Sequence, residues 1–273
     1  MSELVKQLHE TIQYIQSQYK ETPLVGIVLG SGLGNFVSEI KVRKEIPYGD
    51  IPHFPVSTVK GHTGKLVFGE LEGKQVVAMA GRFHFYEGYT PQQIAFPIRV
   101  MKLLGVRHLL LSNASGCVNT SFKVGDLMLI SDHISFFIAN PLIGPNEDSL
   151  GTRFPDMSEP YSKALIAKAK QIGVELGYDL KEGVYLATTG PTFETHAEYS
   201  MVKALGADVV GMSTVQEVIV ARHCDMEVLA ISVVTDMGIR DTEDTITHEE
   251  VLAAAKAAEP KMSHVFKKIV ASF

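Results

Sequence analysis

Nine consecutive residues, Gly81-Arg82-Phe83-His84-Phe85-Tyr86-Glu87-Gly88-Tyr89, gather a permanent cation, an imidazole, phenols and a carboxylate between glycines. A strand-to-helix connection needs only turn residues, so this density of functional groups admits two readings. In one, Arg82 and Glu87 form a surface ion pair while Phe83, Phe85 and Tyr86 supply core. In the other, Arg82 offers a charge that does not titrate and a planar donor fork suited to an oxyanion. A second loop, Gly30-Ser31-Gly32-Leu33-Gly34, can turn backbone N–H groups and a hydroxyl toward an anion. It lacks the Lys-Ser/Thr of a Walker loop and the G-x-G-x-x-G spacing, so it reads equally as a tight turn. His62, in Gly61-His62-Thr63-Gly64, is a loop histidine with either a structural or a site role.

These groups share a topological position. Ser31, Arg82 and His84, the amides around Ala114, Glu194, Ser213 and Asp236 each fall where an apolar strand is expected to empty into small residues. Ligand sites of α/β sheets form beyond the carboxyl ends of strands. Several chemistries are excluded by what is missing: no G-x-S-x-G elbow, no H-E-x-x-H and no cysteine pair for zinc. What remains is one Arg, hydroxyls and backbone donors for an oxyanion, with carboxylates able to bind a polar heterocycle.

The elements that must hold these residues alternate along the chain. Val5, Leu8, Ile12 and Ile15 predict an amphipathic N-terminal helix. Leu24 to Leu29 reads as an interior strand, and Leu66 to Leu71 with Val76 to Ala80 as a hairpin through Glu72-Gly73. Thr90-Pro91 starts a helix containing Pro97. Strands are expected at His108 to Leu111, Asp126 to Ile130, Val184 to Ala187, Ala207 to Val210 and Val228 to Val234. Helices are expected around Leu165 to Leu176, after Thr214 and from His248 onward. Ser112 to Cys117 and Thr235 to Gly238 read as loops, and Pro141 to Pro155 as a long irregular segment. The alternation predicts a single α/β domain over residues 1–273, with a central mixed, mostly interior β-sheet flanked by helices.

Composition narrows the setting. The 273 residues are 45% hydrophobic, ample for a large core, and carry a formal net charge of -6. That charge argues against nucleic acid as the main partner, so an anion site must be a local arrangement. No apolar run reaches the roughly 20 residues of a membrane helix, and Met1-Ser2-Glu3-Leu4 lacks a signal-peptide pattern. Cys117 and Cys224 have no ligand spacing and are expected to be reduced and buried. A cytoplasmic protein is the expectation.

Taken together in order, Gly30 to Gly34, Gly81 to Gly88, Gly190-Pro191-Thr192-Phe193-Glu194-Thr195, Gly211-Met212-Ser213-Thr214 and His248-Glu249-Glu250-Val251-Leu252 resemble the trimeric purine nucleoside phosphorylases. Asn140-Pro141-Leu142 and Val218 to His223 extend the likeness almost end to end. The resemblance implies a homotrimer that takes a purine nucleoside and inorganic phosphate as co-substrates, with no metal or organic cofactor. It implies that Ser31, His62, Arg82, His84, Ser213 and the Ala114 amide hold phosphate. Tyr86, Met212 and His248 would meet the ribose, with Phe154 reaching in from a neighbouring subunit. Phe193 would line the base pocket, Glu194 would bind its N1 edge, and Asp236 would deliver a proton or hydrogen bond to N7.

One residue departs from the family pattern. Members that cleave inosine and guanosine usually carry asparagine where this chain has Asp236, whereas the related methylthioadenosine phosphorylases resemble it in having aspartate. An ionised carboxylate only accepts hydrogen bonds, so it favours a 6-amino group and repels a 6-oxo oxygen. Glu194 points the other way, because it accepts from the N1–H that only 6-oxopurines possess. A protonated Asp236 would reconcile the two. The expectation is therefore phosphorolysis of purine ribo- and deoxyribonucleosides favouring inosine and guanosine, with 6-aminopurine specificity as the alternative. A nucleoside hydrolase and a non-enzymatic nucleoside sensor are the competing functions.

Overall fold

The computed structural model of the protein describes residues 2–58, 64–239 and 245–273. Its centre is a strand that is buried at every position, β1 (Val25–Leu29). Such a run cannot lie at an edge, and it is flanked on both sides. The next strands are β2 (Lys41–Pro47), β3 (Lys65–Leu71), β4 (Lys74–Ala80) and β5 (His108–Cys117). β1 pairs in parallel with β4 on one side and β5 on the other. β3 and β4 form the expected antiparallel hairpin, whose turn residues Glu72 and Gly73 both have positive φ, 48° and 77°.

The sequence reading did not anticipate β2. Lys41, Arg43, Lys44 and Glu45 hide the alternation of a strand, and the topology places it at the outer end of the open sheet, against β3. Charged side chains on an outermost strand discourage pairing with other chains.

The remaining strands are β6 (Leu127–Ile134), β7 (Lys181–Ala187), β8 (Val209–Gly211) and β9 (Glu227–Met237). The full order is β2-β3-β4-β1-β5-β8-β7-β6-β9, and β9 also pairs with β5. The path β5-β8-β7-β6-β9 therefore returns to β5 and closes a five-stranded ring, while β2, β3, β4 and β1 extend from it as an open sheet. Parallel and antiparallel pairs are mixed, as expected.

Two expected loops are strand. Ser112 to Cys117 continues β5 and Thr235 to Met237 continues β9, with Gly116 registered opposite Asp236. Small residues mark close approach here rather than a turn: the two strands run side by side past a register shift between Ser115 and Gly116. Asp236 thus projects from a strand and not from a flexible loop.

Among the described residues six α-helices cover the sheet: α1 (Glu3–Gln18), α2 (Pro91–Leu104), α3 (Lys163–Leu176), α4 (His196–Ala204), α5 (Val215–His223) and α6 (His248–Ala271). Thr90 and Gln93 form a capping box at the start of α2, which runs on through Pro97. The nine-residue α4 was not foreseen; its signal was the Thr195 cap with Glu198 three residues on. Residues 135–162 contain no helix or strand and expose Phe136, Ile143 and Phe154. No helix among the described residues is long and apolar enough to cross a membrane. Cys117 and Cys224 are both buried thiols.

Candidate active site

A cavity of about 430 Å³ lies where β1, β4, β5, β8 and β9 end or approach one another. Its wall contains Ser31, Arg82, His84, Tyr86, Ala114, Phe193, Glu194, Met212, Ser213, Asp236 and His248. Residues separated by more than two hundred positions are thus gathered in one place by the topology. Phe154 does not line the cavity and is 85% exposed, with the Arg153 guanidinium 5.6 Å from its ring centroid. His62 lies outside the described residues.

Arg82 leaves β4 immediately after Gly81, and its side chain is completely buried. Its Nε and Nη2 donate to the two carboxylate oxygens of Glu217 at 3.2 and 2.7 Å. Its Nη1 donates to the Ser112 carbonyl at 2.5 Å and to Ser213 Oγ at 3.4 Å. The planar fork anticipated for an oxyanion is thus directed at Glu217, and the Arg82–Glu217 pair as a whole is neutral. The Ser112 carbonyl is reachable because β1 exits through Gly30, where a Cβ would stand 2.8 Å from that oxygen. Gly32, at φ +75°, lets α6 come close: a Cβ there would lie 2.8 Å from Ala255. The glycine-rich loop is therefore a close-packing device that also presents Ser31 to the cavity.

His84 is oriented by Glu87. One Glu87 oxygen accepts the His84 backbone N–H at 2.8 Å and lies 2.9 Å from Nδ1. The other accepts from both the N–H and the hydroxyl of Thr58 at 2.8 Å. Burial alone would raise the Glu87 carboxyl, but the hydrogen bonds from His84 and Thr58 outweigh it and bring the pKa down to about 2. Burial lowers the pKa of His84, with the Glu87 hydrogen bond opposing. The Glu87 carboxylate thus fixes Nδ1 as the nitrogen that carries a proton. The reading of Arg82 and Glu87 as one surface pair does not hold, since each has a different buried partner.

Ser213 sits at the exit of β8. Its N–H donates to the phenol oxygen of buried Tyr185 at 3.2 Å, a phenol that burial pushes up to about 12. The next residue, Thr214, has φ 74° and ψ -51°, and the Val215 N–H closes back onto the Ser213 carbonyl at 2.8 Å. This is a γ-turn of the rare positive-φ form, strained for a β-branched residue by about 1–3 kcal/mol.

Tyr86 stacks on His84 with ring centroids 4.7 Å apart. Gly190, at φ +62°, faces Met212 and Tyr86 so closely that any side chain would collide with the Met212 sulfur. His248, the first residue of α6, closes this side.

At the far end, Glu194 accepts from the Thr188 hydroxyl at 3.0 Å. Burial raises its pKa, the Thr188 hydrogen bond opposes, and the negative field of Asp236 adds to the rise. Asp236 is nearly buried; one oxygen accepts from Thr235 Oγ1 at 3.1 Å. A Cβ on Gly116 would stand 2.9 Å from its other oxygen, so glycine here makes room for the Asp236 carboxyl. Phe193 stands above this end, 38% exposed.

Several residues here were invisible to motif reading. Glu217 is an acid in α5, a helix buried on nearly all sides; a charge in such a helix implies a buried partner. Asn113 and Tyr199 carry no such mark, and Thr214 reads only as the end of the Gly211 to Thr214 motif, without a role of its own.

The arrangement offers donors for an anion at one end, carboxylates for a polar heterocycle at the other, and room for a sugar between. Residues 24–271 match the model of the phosphorylase superfamily. The chain belongs to that family. Within it the chain falls among the purine nucleoside phosphorylases: it is 51% identical over 263 residues to purine nucleoside phosphorylase 1 of Geobacillus stearothermophilus, covering 96% of each chain. It is 46% identical over 270 residues to the Bos taurus purine nucleoside phosphorylase, covering 96% and 93%. The fold superposes on Schistosoma mansoni purine nucleoside phosphorylase in complex with adenosine with a TM-score of 0.94, at 43% identity over 98% of both chains. The isoform 2 enzyme of that organism, in complex with cytosine and ribose-1-phosphate, gives 0.93 at 46% identity over 97% and 96%.

Proposed function

We propose that the cavity carries out the reversible phosphorolysis of purine nucleosides, releasing the free base and a pentose 1-phosphate, with inosine and guanosine preferred and adenosine tolerated. The observation that carries this reading is the placement of Glu194 and Asp236 at one end of the cavity and Arg82, His84 and Ser213 at the other. Relatives and structural neighbours named as purine nucleoside phosphorylases support the reaction class.

In this reading Ser31, Arg82, His84, Ser213 and the Ala114 backbone hold inorganic phosphate beneath C1′, with His62 at the mouth. Tyr86, Met212 and His248 hold the ribose. As the C1′–N9 bond breaks, positive charge grows on the sugar; the phosphate stabilises it and then forms the C1′–O bond. The departing purine takes up negative charge, which a hydrogen bond or proton from Asp236 at N7 neutralises. Phosphate is the only co-substrate and no cofactor takes part.

Base choice follows from charge. Glu194 in its ionised form accepts from the N1–H of a 6-oxopurine. With two carboxyl groups at one end, ionising both is disfavoured, and in this reading Asp236 is the protonated partner able to donate to N7 or O6. The ionised alternative for Asp236 would instead select 6-aminopurines. Rates of phosphorolysis of inosine, guanosine, adenosine and methylthioadenosine distinguish the two: activity restricted to the 6-amino substrates overturns the preference proposed. A homotrimer in the cytoplasm, with Phe154 completing a neighbour's cavity, belongs to the same reading. The exposure of Phe154 away from its own chain's cavity supports it.

A further inference from the structure

Behind Ser213 runs a chain of side-chain hydrogen bonds that crosses β9, β5 and the turn before α5. Ser115 and Ser232 place their hydroxyl oxygens 2.6 Å apart. Ser232 Oγ donates to Asn113 Oδ1 at 2.6 Å, and Asn113 Nδ2 donates to Thr214 Oγ1 at 2.8 Å. Thr214 Oγ1 in turn lies 3.1 Å from Ser213 Oγ. Ser115, Asn113, Thr214 and Ser232 are all buried, so bulk water does not compete for these bonds.

The chain has a direction, because each hydroxyl owns a single proton. Ser232 gives its proton to Asn113 and must accept from Ser115. Asn113, fixed with its oxygen toward Ser232, presents N–H to Thr214. Thr214 Oγ1 is then an acceptor on one side, and Ser213 Oγ, 3.1 Å away, is within reach of its own proton. Arg82 Nη1 donates into the same Ser213 oxygen from another side, at 3.4 Å. With its oxygen already accepting from two groups, Ser213 points its remaining proton away from them, into the cavity. That is the polarity an oxyanion requires.

We propose that Asn113 and Thr214 are positioning residues for the anion site: they set the Ser213 hydroxyl as a donor to phosphate, and the strained turn at Thr214 is what brings its hydroxyl between Asn113 and Ser213. This rests on the reading of that corner as the phosphate site. Glycine would satisfy φ 74° without strain; threonine supplies the hydroxyl that glycine cannot.

The test compares Thr214→Val, Thr214→Gly, Thr214→Ser and Asn113→Asp, measuring KM for phosphate and for inosine, the phosphate Kd by calorimetry, and Tm. Thr214→Val removes the hydroxyl and keeps the shape, so KM and Kd for phosphate should rise about tenfold, as for loss of one hydrogen bond serving an anion, with the inosine KM unchanged. Thr214→Gly should weaken phosphate equally while leaving Tm unchanged or higher. Thr214→Ser, which keeps the hydroxyl, should restore wild-type values. Asn113→Asp offers two acceptors and reverses the chain, so phosphate should weaken by more than in Thr214→Val. Wild-type phosphate constants in Thr214→Val and Thr214→Gly, or equal factors on both substrates, overturn the proposal. A wild-type protein that turns over no purine nucleoside, yet loses phosphate affinity on Thr214→Val, defeats the functional reading and leaves the positioning role standing.

Discussion

At the anion corner Arg82, His84 and Ser213 each lean on a second buried group: Arg82 on Glu217, His84 on Glu87, and Ser213 on Tyr185 through its backbone N–H and on Thr214 through its hydroxyl. At the base end the supports are thinner. Glu194 receives one hydroxyl, from Thr188, and Phe193 stands 38% exposed on a segment between β7 and α4. Asp236 lies between the two styles, strand-borne but facing the same end as Glu194. The contrast teaches where chemistry and selectivity reside. The groups that would handle phosphate are held rigidly by strand ends and buried bonds, which favours electrostatic preorganisation. The groups that would choose the base sit where a substitution alters one contact without disturbing the core.

The contrast is breakable, and the largest effect belongs to the anion corner. Glu217→Ala leaves Arg82 as an uncompensated buried charge, so stability should fall by about 3–5 kcal/mol; denaturant unfolding checks it, and a loss under 1 kcal/mol would mean the corner is not preorganised by that pair. At the base end, Glu194→Gln should reduce kcat/KM for inosine by about 2 kcal/mol of transition-state binding, roughly thirtyfold, with folding stability and phosphate KM unchanged. A similar loss for adenosine would show that Glu194 does not read the N1 edge. Asp236→Asn should shift the inosine-to-adenosine ratio of kcat/KM toward inosine by about tenfold; a shift toward adenosine would reverse the assignment.

The pH dependence is smaller in effect but signed. The Glu194 pKa is raised, chiefly by burial, so protonation on acidification begins above the ordinary carboxylate range. The kcat/KM for inosine should therefore decline as pH falls through a value above 4.5, and that limb should be missing in Glu194→Gln; an identical limb in both assigns it elsewhere. The mildest change is Phe154→Ala, which should raise nucleoside KM by only a few fold, about 1 kcal/mol for one lost apolar contact. An unaltered KM across nucleosides would separate Phe154 from the cavity.

Much of this was legible because local chemistry marks it. The apolar runs of β1 and β4, the Glu72-Gly73 turn and the Thr90-Pro91 cap are decided by neighbours in sequence, and the structure has them where expected. The charged strand β2 and the small-residue halves of β5 and β9 were not, because partners far along the chain decide them. The same division holds in the site. Arg82 and His84 announce themselves by type and by the glycines around them. Glu217, Asn113 and Thr214 matter through what they touch, and only the fold supplies that.

Strand β5 belongs to both the open sheet and the closed ring, hydrogen-bonded to β1, β8 and β9. A strand held on so many sides cannot slide. It carries Asn113, behind the anion corner, and Gly116, beneath Asp236, on one short length of backbone. β5 therefore acts as a gauge block: the separation between the two ends of the cavity is fixed when the chain folds, before any ligand arrives. Molecules of a different length must be accommodated by walls outside the ring, among them the segment carrying Gly190 to Glu194.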